Sequence, residues 1–233
     1  IEGLRKAGLE ISESETSITT SSVLSSMSRA DEGFWLAVLP FKFTGSNTEV
    51  ATLAEGLSEE IVTGLSRFSY LRVISRSSTL RYANETDDVR DLGKTLGARY
   101  VMEGSLRMAG SSLRVSVQLI DANTGAHLWA ETYDREFRAE EVFALQDDLV
   151  PRIVSTIADV NGVLPRSMSE VVCGKNPAEL SPYEAVLRSF RYFDRVSADE
   201  LNAARSCLEI AVEKAPSNAD AWAMLALLFH QDY

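Results

Sequence analysis

The residues whose types could do chemistry lie closest together in DANTGAHLWAETYD, residues 121–134, directly after SSLRVSVQLI. Asp121, His127, Glu131 and Asp134 would supply acid–base groups or metal ligands if the fold gathered them. The local pattern argues for another task. Asp121, Asn123, Thr124 and Gly125 are turn formers, Asp and Asn capping nearby backbone and Gly accepting a positive φ. After the turn, His127, Trp129, Glu131 and Tyr133 alternate with Leu128, Ala130 and Thr132. The expectation is a structural hairpin with its rings on one face, a binding site being the alternative.

Elsewhere the chemistry is thin. His127 and His230 are the only histidines and Cys173 and Cys207 the only cysteines, so neither a transition-metal centre nor a disulfide framework is expected. The sequence has no G-x-S-x-G, no G-x-x-x-x-G-K-[ST] and no G-x-G-x-x-G after a strand. The expectation is therefore no catalytic residue, no metal and no cofactor in this chain. Two weaker candidates stand. Arg76, Ser77 and Ser78 follow a short apolar run, where a cation and two hydroxyls could hold an anion at a sheet edge; a solvated loop is the competing account. Glu103 interrupts an apolar strand, as a sensor carboxylate or as the partner of Arg99 or Arg107.

The elements that would position these groups are legible as periodicities. WLAVLPF (35–41) has buried-strand length and ends at Pro40, which cannot donate to a ladder. Leu53, Leu57, Ile61, Leu65 and Phe68 form one stripe of an amphipathic helix from about Glu49 to Arg67. LRVIS (71–75) reads as a second strand. Thr86 is the expected cap of a further helix, with Asp87 and Asp88 behind it, Val89, Leu92 and Leu96 as its stripe and Gly97 at its left-handed end. Three strands follow, at about 99–108, 112–120 and 126–134. Leu113, Val115, Val117 and Leu119 fall on one face of the middle one. A long helix from about Ala139 carries Val142, Leu145, Leu149, Ile153, Ile157 and Val160; Pro151 inside it predicts a kink or two abutting helices. The fold class is α/β, a mixed sheet of about five strands flanked by helices, followed by an all-α segment.

Four regions result. Residues 1–33 read as a linker after the end of an upstream module, since eleven of the seventeen residues from Ser12 to Ser28 are Ser or Thr. Residues 34–163 form the α/β domain and 164–181, with Pro165, Gly174 and Pro177, a second linker. Residues 182–233 are helical. Their Ala204, Leu208, Ala211 and Pro216, then Trp222, Leu225, Ala226 and Phe229, keep the register of a roughly 34-residue tetratricopeptide repeat. Arg188 and Arg191 fall where apolar residues are expected, which suits an irregular first repeat. The repeat begun at residue 219 ends before its partner helix, so the natural protein is expected to continue.

The net charge of −11 works against a broad phosphate-binding surface, and no run of about 18 apolar residues could cross a membrane. Nucleic-acid binding and membrane insertion by this segment are not expected.

Taken in order, WLAVLPF, LAEGLSEEIVTGLSRF, LRVISRSS, DVRDLGKTLGARYVMEGSLR, LRVSVQLIDANTGAHLWAETYD and VFALQDDLV resemble the TolB-amino-terminal-like domain of bacterial multidomain proteins. The likeness covers about residues 34–160. Pro151 and a shortened loop at Phe43–Asn47 depart from it. The resemblance implies a small mixed sheet between an upstream signalling module, a class III adenylyl cyclase domain or a winged-helix domain, and a tetratricopeptide array. It implies sensing or interaction rather than catalysis, in the cytoplasm, with the periplasm as alternative. A protein partner would sit in the repeat groove, touching Tyr183, Arg188, Arg191 and Tyr192, with a core position as the equal alternative for Tyr183. A nucleotide-binding enzyme at the Arg76–Ser78 edge and an envelope-assembly factor are the other classes. The oligomeric state is left open.

Overall fold

A strand flanked by cover on both sides must be apolar on both sides, and β1 (Trp35–Val38) is: three of its four residues are buried. The computed structural model that shows this describes residues 34–83 and 88–230; the segment 1–33 and the expected Thr86 cap lie outside the described residues. Pro40 ends the strand, and β2 (Lys42–Phe43) adds two residues of pairing. The intervening loop is tied down by Ser58. Its buried hydroxyl accepts the Phe41 N–H at 2.9 Å and donates to the Ala54 carbonyl at 2.9 Å.

α1 (Thr48–Leu65) starts where the Asn47 side chain accepts the Val50 N–H, and buries the expected Leu53–Leu57–Ile61–Leu65 stripe. β3 is shorter than expected, Arg72–Val73, because the chain turns at Ser75 into α2 (Arg76–Thr79) and a 3-10 turn, Leu80–Tyr82. The expected loop at Arg76–Ser78 is thus a helical turn. α3 (Val89–Leu96) is capped by Asp88, two residues after the expected Thr86, and closes on Gly97 at φ 67°. That left-handed residue returns the Ala98 N–H to the Gly93 carbonyl at 2.8 Å.

β4 (Tyr100–Ala109), β5 (Ser112–Asp121) and β6 (Ala126–Glu136) form an antiparallel meander. The order across the six-stranded sheet is β3-β1-β4-β5-β6, with β2 also on β4; β1 is parallel to β3 and β4. One correction falls here. Trp129 pairs with Leu119 but His127 pairs with Ile120, so Leu128 is an extra residue at a bulge. Adjacent residues of β5 point to opposite faces, and so do their partners His127 and Trp129. The single aromatic face expected from alternation stops at Trp129.

α4 (Val142–Ala158) runs as one helix through Pro151, not as two abutting ones. Residues 164–173, expected as part of a linker, belong to helix α5 (Val163–Cys173), with Leu164, Met168 and Val172 buried at four-residue spacing. Pro165 misleads in sequence because it sits in the first turn, where its missing N–H has no helical acceptor to lose. A 3-10 turn, Pro177–Glu179, leads to α6 (Pro182–Arg195), whose Ser181 and Glu184 make a reciprocal capping box. α7 (Ala198–Lys214) and α8 (Ala219–His230) complete the described chain.

Two apolar cores result. The larger lies between the sheet and α1 and α4, and runs without interruption into α5–α8, from Leu36 and Met102 through Leu149 and Met168 to Phe190, Leu208 and Leu228. The smaller packs Ile74, Tyr82 and Leu92 on Ala37, Leu39 and Val101 of the opposite sheet face. α2 and α3 cover only that end of the face, so the polar residues of β4, β5 and β6 line it openly.

Candidate functional site

The residues of the 121–134 hairpin are committed to structure. Asp121 is buried, accepts the Asn123 N–H at 2.9 Å and binds the Arg99 guanidinium at 3.0 Å. Gly125 takes φ 74° at the turn, and His127 is exposed beside it. Asp134 pairs with Arg114 at 2.7 Å, and Glu131 accepts the Tyr133 hydroxyl at 3.0 Å. No group of three His, Cys, Asp or Glu that could hold a metal exists among the described residues.

Glu103 pairs with neither Arg99 nor Arg107. The Gln118 amide donates to it at 2.7 Å, across the β4–β5 pair. Ser116 and Thr132 share a 3.2 Å hydrogen bond on the same open face. These residues, with Leu39, Pro40 and Lys42, line a shallow polar cavity of about 290 Å³. Arg76, Ser77 and Ser78 do not reach it. Ser77 and Ser78 instead lie 3.1 and 3.0 Å from the Ser75 hydroxyl, and the Arg76 Nε is buried without a hydrogen-bond partner.

The expected partner residues on α6 are occupied inside the molecule. Arg188 and Arg191 converge on Glu200 of α7 at 2.9 and 2.6 Å. Burial works against the Glu200 charge, but the bonds from Arg191 and Arg188 outweigh it and hold the carboxyl below its ordinary range. Arg188 and Tyr192 are buried. Two cations at apolar positions thus serve as an internal clamp, which corrects their expected place on a surface.

Tyr183 belongs to a junction that sequence patterns do not mark. Its hydroxyl donates to the Tyr70 carbonyl at 2.9 Å, and the Arg72 guanidinium stands 5.6 Å over its ring. The Tyr70 hydroxyl in turn donates to the Ala158 carbonyl at the end of α4, and its ring meets Phe190 edge-on at 4.9 Å. Burial, with the charge of Asp159 nearby, pushes the Tyr70 hydroxyl far above its ordinary pKa, so it remains a donor. Ser69 donates to Asp220 of α8 at 3.0 Å, Tyr100 meets Ser167 of α5 at 3.1 Å, and Arg166 meets Asp194 at 2.9 Å. The turn between α1 and β3 is thereby bound to α4, α6 and α8 together. Phe68, expected as the last residue of the α1 stripe, lies beyond the helix end at Leu65, and Tyr70 carried no sequence signal of its own.

The repeat-register positions divide. Ala204, Leu208, Ala211 and Leu225 are buried between α6, α7 and α8. Trp222 and Phe229 are 50% and 49% exposed, and Ala226 is exposed. The Trp222 indole N–H donates to the Pro216 carbonyl at 2.9 Å, and Arg205 stands 4.7 Å over the Phe229 ring. No helix among the described residues is long and apolar enough to cross a membrane.

Comparison with known proteins follows this geometry. The chain is 35% identical over 198 residues to "Putative adenylate cyclase 3" of Rhizobium meliloti (strain 1021), which covers 85% of this chain and 33% of that protein. It thus spans about a third of the length of that relative. Among solved structures it is similar to TolB from Acinetobacter baumannii, with 19% identity, 53% of this chain and 28% of that one covered, and a TM-score of 0.37. It is similar also to the PelC dodecamer from Paraburkholderia phytofirmans, with 17% identity, 53% and 86% covered, and a TM-score of 0.36. Residues 32–152 match the family described as HilA/YgeH-like transcriptional regulator, second domain, and the chain belongs to that family.

Proposed function

We propose that this chain is a non-catalytic regulatory segment of a bacterial signalling protein, following an output module of the adenylyl cyclase or winged-helix type. The observation that carries this is the junction at Tyr70. A sheet domain and a helical segment joined by a continuous core and by buried hydroxyl bonds cannot shift independently, so an event on either is felt by the other. Membership of a regulator family and identity with part of a cyclase-type protein support the reading. Helices α6–α8 are then the start of a tetratricopeptide array, and its groove takes a protein partner. The surface would come from exposed positions such as Trp222 and Phe229 rather than from Arg188 and Tyr192. The segment would act in the cytoplasm.

Sequencing the coding DNA on both sides tests this. A cyclase or winged-helix module upstream and further helical repeats downstream are expected. A signal peptide directly before Ile1 overturns the proposal in favour of an envelope factor. The second reading, a small-ligand site, has one observation in its favour, the polar cavity at Glu103, Gln118, Ser116 and Thr132. Calorimetry with a panel of nucleotides and polar metabolites decides it, since no heat with any of them removes that reading.

A further inference from the structure

The outer layer of the α/β domain holds a surface that none of this uses. α1 and α4 lie side by side, and the two glycines of α1 show which of its faces meets α4. A Cβ on Gly56 would fall 1.8 Å from Gln146 Nε2, and one on Gly64 would fall 2.9 Å from Val154 Cγ2. Residues 56, 60 and 64 share one stripe, at four-residue spacing, so Glu60 stands over the crevice between these two contacts. Beyond Gly64 the crevice widens into a cavity of about 410 Å³, lined by Arg67, Phe68, Val150, Pro151, Val154 and Asp159, among others. Gln146 and Val154 fill the places of the missing side chains, so the two helices pack closely from Gly56 to Gly64, and the open, mostly apolar space is the cavity beyond Gly64.

Its rim is acidic. α1 carries Glu49, Glu55, Glu59 and Glu60 and no Lys or Arg. On α4, Phe143, Asp147 and Pro151 recur at four-residue spacing on an exposed stripe next to Gln146, Val150 and Val154, and Phe143 is 78% exposed. Asp148 is taken by Arg135 and Arg152, at 2.8 Å each. Glu60, Asp147 and Asp159 are exposed and form no ion pair among the described residues, of which Arg67 is the one cation lining the cavity. Three unpaired carboxylates around an apolar floor, against a single guanidinium, favour a cationic occupant.

We propose that the α1–α4 crevice is a docking site for a basic amphipathic helix of a partner protein. The apolar side chains of that helix would lie along Phe143, Val150, Val154 and Phe68, and its Lys or Arg residues against Glu60, Asp147 and Asp159. From Phe143 to Asp159 the exposed edge of α4 and the cavity at its end run roughly 24 Å, long enough to seat a helix of about 14 residues. The mode is the helix-in-groove arrangement, with specificity set by charge.

The test uses the full chain and two fluorescent synthetic peptides of about 14 residues. Both carry Leu at helical spacing, one with Lys on its flanks and the other with Glu at the same places. Fluorescence anisotropy is read for the native chain and for a Glu60→Lys/Asp147→Lys variant, whose near-ultraviolet circular dichroism establishes that it is folded. Both changes are at exposed positions. The Lys peptide binds the native chain, the variant weakens it by roughly tenfold, and raised salt weakens it likewise; the Glu peptide does not bind. Equal affinity for the variant, equal affinity of the two peptides, or no binding of the Lys peptide at millimolar concentration overturns the proposal. So does a dimer in sedimentation that the same substitutions dissociate, which would give the crevice to a second copy.

Discussion

At the scale of single residues, the side chains that matter most are hydroxyls and cations used as ties. Tyr183 reaches the Tyr70 backbone and Tyr70 reaches the Ala158 backbone, so two phenols join three segments distant in sequence. Tyr183→Phe removes one donor and leaves the Tyr70 carbonyl without it in a half-buried place. The expected cost is about 1 kcal/mol, read as a lower urea midpoint with an unchanged slope. An unchanged midpoint would show that water replaces the bond at no cost. Arg188 and Arg191 teach a related point. Their positions in the repeat register were legible, but a cation at an apolar position can be satisfied internally, and only Glu200, nine residues beyond Arg191 on the next helix, shows that it is.

At the scale of elements, α4 carries a proline seven residues before its end and remains one helix. It is held on one side by Leu145, Leu149, Ile153 and Ile157, all buried, and this packing outweighs the lost backbone bond. Pro151→Ala restores the donor and a better helix propensity at an exposed position. It is expected to raise stability by about 1–3 kcal/mol, less the smaller entropic advantage proline holds in the unfolded chain, as measured by thermal or urea unfolding. A loss of stability would mean that the Pro151 ring contributes packing that alanine does not replace. Helix α5 illustrates the opposite error. Its stripe Leu164–Met168–Val172 is plain once seen, but flanking glycines and prolines are the usual marks of a loop, and Pro165 sits at one of the few helical positions that tolerates it.

At the scale of the whole molecule, the large core does not stop at the boundary expected near residue 163. Leu164, Met168 and Val172 of α5, then Leu187 and Phe190 of α6, belong to the same cluster as the inner face of the sheet. Residues 34–230 are therefore expected to unfold in one cooperative transition, with equal calorimetric and van't Hoff enthalpies. Two separable transitions would show that the α/β domain and the helices are independent. Removing the chain beyond Gly174 would open this core, so loss of partner binding in such a truncation would report unfolding as well as lost contacts. Substitutions at exposed positions are the sharper tool.

The amino-acid sequence by itself determined the principal elements and their order. Apolar periodicity, capping residues and turn formers act between residues a few positions apart, and they marked the main strands and helices, the three-stranded meander and the helical end of the chain without any knowledge of contacts, but not β2, α2 or α5. The long-range partners were not available in that way. That Glu103 is held by Gln118 rather than by an arginine depends on the β4–β5 register. That His127 and Trp129 lie on opposite faces depends on one bulged residue. That the Tyr70 turn is bound to three helices, and that α1 and α4 pack closely at two glycines and part into a cavity beyond Gly64, depends on how whole elements pack. Such contacts join residues from seven to 151 positions apart. Their geometry follows from packing the entire core at once, and only the tertiary structure decides it.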